Sequence, residues 1–473
     1  MAKLKEKEEE VRGLLSEIGQ DHVFRYWPEL NRDEKTKLIT QLNKICFEDC
    51  KEAIEDIFRQ SVLTKNIQTP RPPETVDGTG DAIHLQGTEA EQGEKLLSEG
   101  KVAAFTVAGG QGTRLGHKGP KGTYPCTPVS RRTLFHHFSE SFKFFEKRFG
   151  QSPRWFIMTS VDNHQETMEY FSNNNFFGLN QNRVTFFQQG MVPTFDLSGK
   201  ILLKEKYEIA QSPNGHGGCF RALVESGALN LMEEEGIDCL SYFQVDNPLV
   251  YCFDPTFLGF HAAKKSEMSS KVVKKISPDE KVGTFIEEDG ALRVLEYSDI
   301  SLDLATQKDG KGKLSFGMGN IAIHKLDRSF VKRMGSRLKA GDQRLPFHGA
   351  QKKVSYIDDN GRLAHPQTPN AIKPETFVFD ALPLANNPFL YEIDRDEEFA
   401  PIKNPDGPDS ITTSQELQMK RHKRWLVKRG AKEIPEKVEI SPSYSPAYTY
   451  FLERFTASER TKYSQAKTPL ILE

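Results

Sequence analysis

Residues 102–116 read VAAFTVAGGQGTRLG, and this stretch indicates how the sequence folds. Its first six residues are apolar or uncharged, which is typical of a strand buried inside a parallel sheet. A loop with glycines at 109, 110 and 112 follows, and glycine lets backbone N–H groups approach an anion because it has no Cβ. Arg114, and Lys121 in the following triplet PKG, add positive charge. The stretch therefore predicts a site for the phosphates of a nucleoside triphosphate.

This loop differs from the two best-known nucleotide-binding loops. A dinucleotide-binding GxGxxG pattern that starts at Gly110 would need a third glycine where Leu115 stands. No register supplies the GxxxxGK followed by Ser or Thr of a Walker A loop. A nicotinamide-dependent dehydrogenase and a plain strand-to-helix turn with no ligand stay open as alternatives, which NAD binding and nucleotide binding would test.

Composition excludes several classes of protein. The 473 residues include 64 basic and 66 acidic ones, so the net charge is near zero and no general nucleic-acid surface is expected. The N-terminus is rich in Lys and Glu, unlike a signal peptide, and no stretch approaches the roughly 18 apolar residues of a membrane helix. The six cysteines show no CxxC pair, so reduced thiols in a cytoplasmic protein are expected.

The pattern along the chain predicts an α/β protein. From residue 101 onward, short apolar strands alternate with helices, one of them expected over 220–235, which indicates a mostly parallel sheet with helices on both faces. Before this, Asn31 followed by Glu34 predicts a capped helix, and residues 66–87 read as a linker. A hairpin is expected across Asp289-Gly290.

Polar residues follow several of these strands. Gln189 and Asp246 each come directly after an apolar strand, and ligands in such sheets bind beyond the carboxyl ends of the strands. Asp246 suits Mg²⁺ beside phosphates, although a turn aspartate is an equal alternative because Asp-Asn-Pro favours turns. The second glycine loop, 213–218, suits a base or a sugar, or is simply the start of a helix. Two lysines, Lys373 and Lys403, lie near later motifs and could equally be surface groups.

These motifs together resemble the UDP-sugar pyrophosphorylases, most closely the eukaryotic-type UDP-N-acetylglucosamine pyrophosphorylases. The resemblance runs in order over about residues 100–410 and is carried by the following segments: GGQGTRLG at 109–116, PKG at 120–122, QQGMVP at 188–193, PNGHGG at 213–218, VDN at 245–247, VLEYS at 294–298, GNIA at 319–322, FVFDALP at 377–383 and FAPIK at 399–403. Residues 1–98 and the C-terminal tail fit in size only.

The resemblance implies a GT-A-like, Rossmann-like nucleotidyltransferase domain with a mostly parallel central sheet. It implies a helical N-terminal region with a linker over residues 1–98, the catalytic domain over 99–402 and a small mixed C-terminal domain over 403–473. It also implies roles for individual residues: UTP would bind to Val107, Ala108, Gly109, Gly110, Lys121, Gln189, Gly215, Asp246 and Lys373. The sugar phosphate would bind to His216, Glu296, Tyr297, Asn320, Phe377, Phe379 and Lys403. Catalysis would depend on Arg114, Lys121 and Lys403, and Mg²⁺ would bind to Asp246.

The implied reaction joins UTP and a sugar 1-phosphate into a UDP-sugar and pyrophosphate, with N-acetylglucosamine as the expected sugar and N-acetylgalactosamine as a second one. His216 departs from the pattern, because Asn is usual there in the N-acetylglucosamine enzymes. A UDP-glucose or broad-specificity UDP-sugar pyrophosphorylase therefore stays open, as does a nucleotide-sugar binding protein without catalysis. No nucleic acid or membrane partner is expected, and the sequence carries no signature of a particular oligomeric state.

Overall fold

The structure is a computed structural model that describes residues 2–59, 70–80, 87–336, 344–463 and 469–473. The chain forms two compact units, and neither is continuous in sequence. The first unit comprises Met1–Gln68, Gln189–Cys219 and Leu338–Ala381. The second unit comprises Thr69–Gln188, Phe220–Arg337 and Leu382–Glu473. These units do not follow the three consecutive ranges expected from the sequence, whose boundaries at 98 and 402 stay a prediction.

The second unit is built on a 10-stranded sheet. Along its main path the strands are Thr75–Asp77, Phe389–Glu392, Met268–Lys274, Met318–Asp327, Cys239–Gln244, Val102–Val107, Arg154–Thr159 and Val184–Gln188. All of them run in one direction except Met318–Asp327, which is antiparallel to both neighbours. The predicted hairpin is present as Thr284–Glu288 and Ala291–Leu295, and its first residue Thr284 pairs with Gly319 near the start of Met318–Asp327. The α/β class with a mostly parallel central sheet is therefore confirmed.

Helices cover this sheet, and an aromatic stripe explains how one of them packs. In Leu134–Phe149, residues Phe135, Phe138, Phe142 and Phe145 recur at helical spacing and are buried. Phe142 stacks on Trp155 of a central strand, with ring centroids 4.6 Å apart. The α-helices of this unit are Thr88–Ser98, Leu134–Phe149, His164–Asn173, Cys219–Glu225, Ala228–Glu235, Pro255–Ala263, Leu302–Thr306, Arg328–Gly335, Arg395–Glu398, Ile411–Lys428, Tyr448–Arg454 and Ala457–Tyr463. Near the C-terminus, Val438–Ile440 pairs in parallel with Leu470–Leu472.

The first unit combines helices with small sheets. Its helices are Ala2–Glu17, Arg32–Leu42 and Phe47–Ile54, and its strand pairs are Met191–Pro193 with Gln211–Pro213, Leu203–Glu205 with Glu208–Ile209, and Tyr356–Ile357 with Leu363–Ala364. A 3-stranded sheet contains His348–Lys352, Ala371–Glu375 and Phe195–Asp196. The inserted segments group with the N-terminal helices because Val192, Phe195 and Phe347 share a hydrophobic core with Leu38. The predicted capping box is present, since Asn31 accepts hydrogen bonds from the backbone of Asp33 and Glu34.

Two expectations about local structure were wrong. The helix expected over 220–235 is two helices, Cys219–Glu225 and Ala228–Glu235, because Gly227 adopts a left-handed conformation with φ +80°. Of the linker or surface loop expected over 66–87, residues 66–69 and 81–86 lie outside the described residues, and the described part contains the edge strand Thr75–Asp77, which pairs with Phe389–Glu392. A Cβ on Gly78 would lie 2.3 Å from the Tyr391 ring, so glycine lets the chain leave that strand close to its neighbour.

The structure also bears on two expectations drawn from composition, about the cysteines and about membrane helices. All six cysteines lie in the described residues, and none of them forms a disulfide bond, as expected. No helix within the described ranges is both long and apolar enough to cross a membrane.

Candidate active site

The glycine loop of the second unit is held in place by its own backbone and by one asparagine. The Ala108 N–H donates to the Met158 carbonyl oxygen on the neighbouring strand at 2.8 Å. The Asn163 side-chain amide donates to the carbonyl oxygens of Ala108 at 2.9 Å and Gly110 at 3.3 Å. Apart from Gly110 itself and its two chain neighbours, no described heavy atom lies within 4 Å of where a Cβ on Gly110 would stand. The loop is therefore fixed from behind while Gly110 faces open space, as an anion-binding loop requires.

The end of the loop brings a lysine beside an aspartate. The Lys121 N–H donates to the Gly110 carbonyl oxygen at 3.0 Å, and the Lys121 Nζ lies 3.1 Å from Asp246 Oδ2. Asp246 follows the strand Cys239–Gln244, which pairs in parallel with Val102–Val107. The two side chains are 16 % and 15 % exposed, so this ion pair is largely shielded from water.

A second lysine acts on the same aspartate. Burial alone would raise the pKa of Asp246, but the charges of Lys121 and Lys403, with the Lys121 hydrogen bond, outweigh it and hold the pKa below its ordinary value. Asp246 is therefore ionised at neutral pH. We call Lys121, Asp246 and Lys403 the lysine–aspartate cluster.

A buried asparagine connects the segment of Lys403 to that of Asp246. The Asn247 amide donates to the Glu398 carbonyl oxygen at 2.7 Å, and its oxygen accepts the Ala400 N–H at 3.0 Å. The Ile402 N–H then donates to the Asp246 carbonyl oxygen at 2.9 Å. These bonds fix the backbone immediately before Lys403 against the backbone of Asp246.

A buried ion pair lies behind this connection. Lys271 is 0 % exposed, and its Nζ lies 2.7 Å from Asp254 Oδ2 and 2.5 Å from Glu398 Oε1. Burial would lower the pKa of Lys271, but the two carboxylates raise it above its ordinary value, so the lysine is charged. Sequence reasoning missed this group, because a lysine in the strand Met268–Lys274 carries no sign of being buried.

Arg114 differs from the two lysines of the cluster. It lies in the short 3₁₀ turn Thr113–Leu115 and is exposed. Within the described residues its side chain forms no hydrogen bond or ion pair. The guanidinium is therefore available to a ligand and contributes nothing visible to the fold.

The predicted sugar residues Glu296, Tyr297 and Asn320 also belong to the second unit. Glu296 and Tyr297 follow the hairpin strand Ala291–Leu295, and Tyr297 is 51 % exposed. Asn320 lies in Met318–Asp327, and its side-chain oxygen accepts the Ala322 N–H at 2.9 Å. Their roles in sugar binding stay a prediction.

In the first unit, four rings come together. The centroid of Phe377 lies 5.2 Å from that of His216, 4.5 Å from that of His348 and 5.1 Å from that of Phe379, and both imidazoles are within 27° of parallel with it. We call His216, His348, Phe377 and Phe379 the aromatic wall. The sequence indicated three of these residues but not His348, a lone histidine whose only signal is that its strand, His348–Lys352, pairs with Ala371–Glu375.

His216 is held in one protonation state. Burial, helped by the neighbouring His348, lowers the pKa of His216 to about 4, so the ring is neutral at pH 7. Its Nδ1 accepts the Val378 N–H at 3.1 Å. A neutral imidazole that accepts at Nδ1 carries its proton on Nε2, so His216 offers a hydrogen-bond donor there.

The second glycine loop is shaped by close backbone contacts. Gly215 has φ +80°, and a Cβ on it would lie 2.4 Å from the Thr376 carbonyl oxygen. The Gly217 N–H donates to that same oxygen at 2.8 Å. Gln189 starts the segment that leads into this part of the first unit, and Lys373 lies on the strand Ala371–Glu375. The structure thus places the loop next to the segment of Phe377.

A glycine loop and an ionised aspartate that follow neighbouring parallel strands, with two lysines around the aspartate, form the kind of site expected in an α/β nucleotidyltransferase. A family model described as UTP–glucose-1-phosphate uridylyltransferase matches residues 47–462. The chain therefore belongs to the UTP–glucose-1-phosphate uridylyltransferase family, and the predicted membership of the UDP-sugar pyrophosphorylases and the enzyme class are confirmed.

Relatives within the family are similar over nearly the whole chain. The human protein named UDP-N-acetylhexosamine pyrophosphorylase-like protein 1 is 34% identical, over 93% of this chain and 90% of that protein. The yeast UDP-N-acetylglucosamine pyrophosphorylase is also 34% identical, over 89% of this chain and 92% of its own. The crystal structure of the Trypanosoma brucei uridine diphosphate N-acetylglucosamine pyrophosphorylase superposes with a TM-score of 0.81 at 25% identity, covering 98% of this chain and 97% of that one.

Proposed function

We propose that this uridylyltransferase makes UDP-N-acetylglucosamine and pyrophosphate from UTP and N-acetylglucosamine 1-phosphate. The observation that carries the proposal is the lysine–aspartate cluster beyond the glycine loop, since two lysines around one ionised carboxylate suit a triphosphate and a second phosphate. The names of the similar human, yeast and trypanosomal proteins support the choice of sugar. Its expected cytoplasmic location belongs to the same proposal.

Positioning and charge neutralisation supply the catalysis in this proposal. An oxygen of the sugar phosphate attacks the α-phosphorus of UTP in line, and the bond to the bridging oxygen of pyrophosphate breaks as the new P–O bond forms. Arg114 and Lys121 stabilise the negative charge of the leaving pyrophosphate. Lys403 aligns the attacking phosphate and reduces its repulsion from UTP. No covalent intermediate with the protein is needed.

The other predicted nucleotide contacts complete the binding of UTP. Backbone of Val107, Ala108, Gly109 and Gly110 contacts the uridine, Gln189 and Gly215 contact the uracil, and Lys373 contacts a phosphate. The sugar ring binds to Glu296, Tyr297 and Asn320, with His216, Phe377 and Phe379 near the acetyl group.

Asp246 is the residue that we propose for Mg²⁺. Among the described residues no group of three or more His, Cys, Asp or Glu side chains could hold a metal ion, so a closed protein cage is not built there. One ionised carboxylate beside phosphate oxygens and water is nonetheless the donor set that Mg²⁺ prefers. When bound, Mg²⁺ would neutralise phosphate charge.

The test is pyrophosphate release from UTP and Mg²⁺ with three separate acceptors: N-acetylglucosamine 1-phosphate, N-acetylgalactosamine 1-phosphate and glucose 1-phosphate. We expect a clear preference for an acetylated sugar. Equal or better use of glucose 1-phosphate would make His216 the marker of a UDP-glucose or broad-specificity enzyme. UTP binding without any pyrophosphate release would indicate a nucleotide-binding protein that has lost catalysis.

A further inference from the structure

We propose that His348, held by Asp380, is a positioning residue that fixes the ring of Phe377 and thereby favours an acetylated sugar over an unacetylated one. The inference rests on the proposed function, because it concerns the sugar subsite of that reaction.

The contacts of His348 carry the first step. Its Nε2 lies 2.8 Å from Asp380 Oδ2, and its ring stacks on Phe377 with centroids 4.5 Å apart and planes 27° apart. The His348 and Asp380 side chains are only 23 % and 16 % exposed, so water competes weakly for this hydrogen bond. One histidine therefore holds both an aromatic ring and a carboxylate.

The position of Asp380 carries the second step. Asp380 lies three residues after Phe377 in the same turn, and its N–H donates to the Phe377 carbonyl oxygen at 3.2 Å. His348 lies on a different strand, which pairs with the strand before Phe377. The hydrogen bond and the stack thus tie both ends of the turn to one side chain. A ring that is only packed can slide on its neighbour, whereas this ring is stacked on an imidazole whose own orientation is fixed.

The chemistry of the wall carries the third step. Phe377 and Phe379 offer apolar surface, and His216 offers a donor at Nε2 beside them, since its Nδ1 already accepts the Val378 N–H. An acetamido group presents a methyl group and a carbonyl oxygen, which match an apolar surface and a donor. The hydroxyl of glucose in the same position has no methyl group. A fixed Phe377 therefore benefits the acetylated sugar specifically.

The test compares kcat and KM for N-acetylglucosamine 1-phosphate and glucose 1-phosphate in four variants. In His348→Phe the stacked ring is kept and the hydrogen bond is lost, and in Asp380→Ala the carboxylate is lost. We expect each to raise KM for the acetylated sugar about tenfold, the range for a poorly packed methyl group, with KM for glucose 1-phosphate and UTP and both kcat values within about twofold. Asp380→Asn keeps an acceptor for His348 and should restore the KM of the wild type. His365→Phe, at an exposed histidine of the same unit, is the matched control and should change nothing.

Two results would overturn the inference. One is an equal loss with both sugars, which a purely structural role predicts, and the other is an unchanged preference in both His348→Phe and Asp380→Ala. If His348→Phe does not fold, Asp380→Ala with its Asp380→Asn rescue decides the question. A wild type that uses only glucose 1-phosphate would overturn the proposed function itself, whereas an acetyl-preferring wild type whose variants keep that preference would overturn only this inference.

Discussion

The lysine–aspartate cluster stands at the ends of paired parallel strands, whereas the aromatic wall is assembled from a glycine loop, a turn and the strand of His348. Ion pairs hold the first region. Lys121 pairs with Asp246, and the buried Lys271 pairs with Asp254 and Glu398. Stacked rings and one His–Asp hydrogen bond hold the second. Removing one partner from the first region leaves a charged group buried without a counter-charge and without water. Removing one from the second region only makes the packing of its rings less rigid. The first region should therefore be costly to change and the second adjustable.

The largest expected effect is on folding, in Lys271→Met. This change leaves Asp254 and Glu398 buried without their cation, which typically costs about 3–5 kcal/mol. The matched control is Lys420→Met in the same unit, where Lys420 pairs with Asp396 and the two side chains are 65 % and 44 % exposed, so about 1 kcal/mol or less is expected. Urea unfolding at pH 7 measures both free energies. Equal losses would contradict the view that charge burial sets the stability of this region.

The next effect is on catalysis, in Arg114→Ala. Turnover should fall by on the order of 100-fold or more, as is typical when a donor to transition-state charge is lost. The free energy of unfolding should stay unchanged, because Arg114 is exposed and makes no polar side-chain contact within the described part of the chain. Lys118→Ala, another exposed cation of the same loop, is the control and should retain wild-type turnover. Unchanged turnover in Arg114→Ala would remove this arginine from the mechanism.

A smaller effect, on the pH dependence of stability, is expected in the aromatic wall for His216→Asn. The pKa of His216 is about 4 in the folded protein, below the ordinary value near 6.5, so the unfolded chain takes up this proton first as the pH falls. As the pH falls from 6.5 to 4, the free energy of unfolding of the wild type should therefore fall by roughly 2 kcal/mol relative to that of the variant. This is less than the full pKa shift implies, because the ring is partly exposed.

Unfolding of both proteins by urea at pH 7 and at pH 4 measures this difference, and the other buried histidines cancel because both proteins contain them. A difference that does not change with pH would show that His216 already titrates normally. In that case His216 would be protonated below its ordinary pKa, and Nδ1 could then no longer accept the Val378 N–H, although Nε2 would still donate.

The sequence could predict what depends on neighbours along the chain. The strand Val102–Val107, the glycine loop and the position of Asp246 after a strand all follow from composition and period, and the large sheet confirms the class of fold. It could not predict the strand Thr75–Asp77, because three residues are too short to show a period. The break at Gly227 was missed because the apolar spacing continues across it.

The features that the sequence did not predict depend on contacts between distant segments. Lys271 meets Glu398 across 127 residues, and His348 meets Asp380 across 32, so no local pattern marks either pair. The same reasoning explains why Gly215 was recognised as a loop glycine but not as the contact that seats the loop on Thr376. Locality, rather than the chemistry of a region, decided which parts were predictable.

Asn31→Ala, which has the smallest expected effect, tests whether a feature predicted from neighbouring residues also acts only locally. The first unit contains the aromatic wall, which the sequence only partly indicated, yet it also contains the capping box at Asn31, which the sequence predicted in full. Asn31 accepts from the N–H groups of Asp33 at 2.9 Å and Glu34 at 3.1 Å, so its loss should cost about 1 kcal/mol of unfolding free energy. Thr36→Ala, an exposed change inside the same helix, should stay within about 0.5 kcal/mol. Kinetic constants for both substrates should be those of the wild type, because the cap acts only on its own helix. A change in KM for the sugar phosphate in Asn31→Ala would mean that the aromatic wall depends on the helices of its unit. The capping box would then act beyond its own helix.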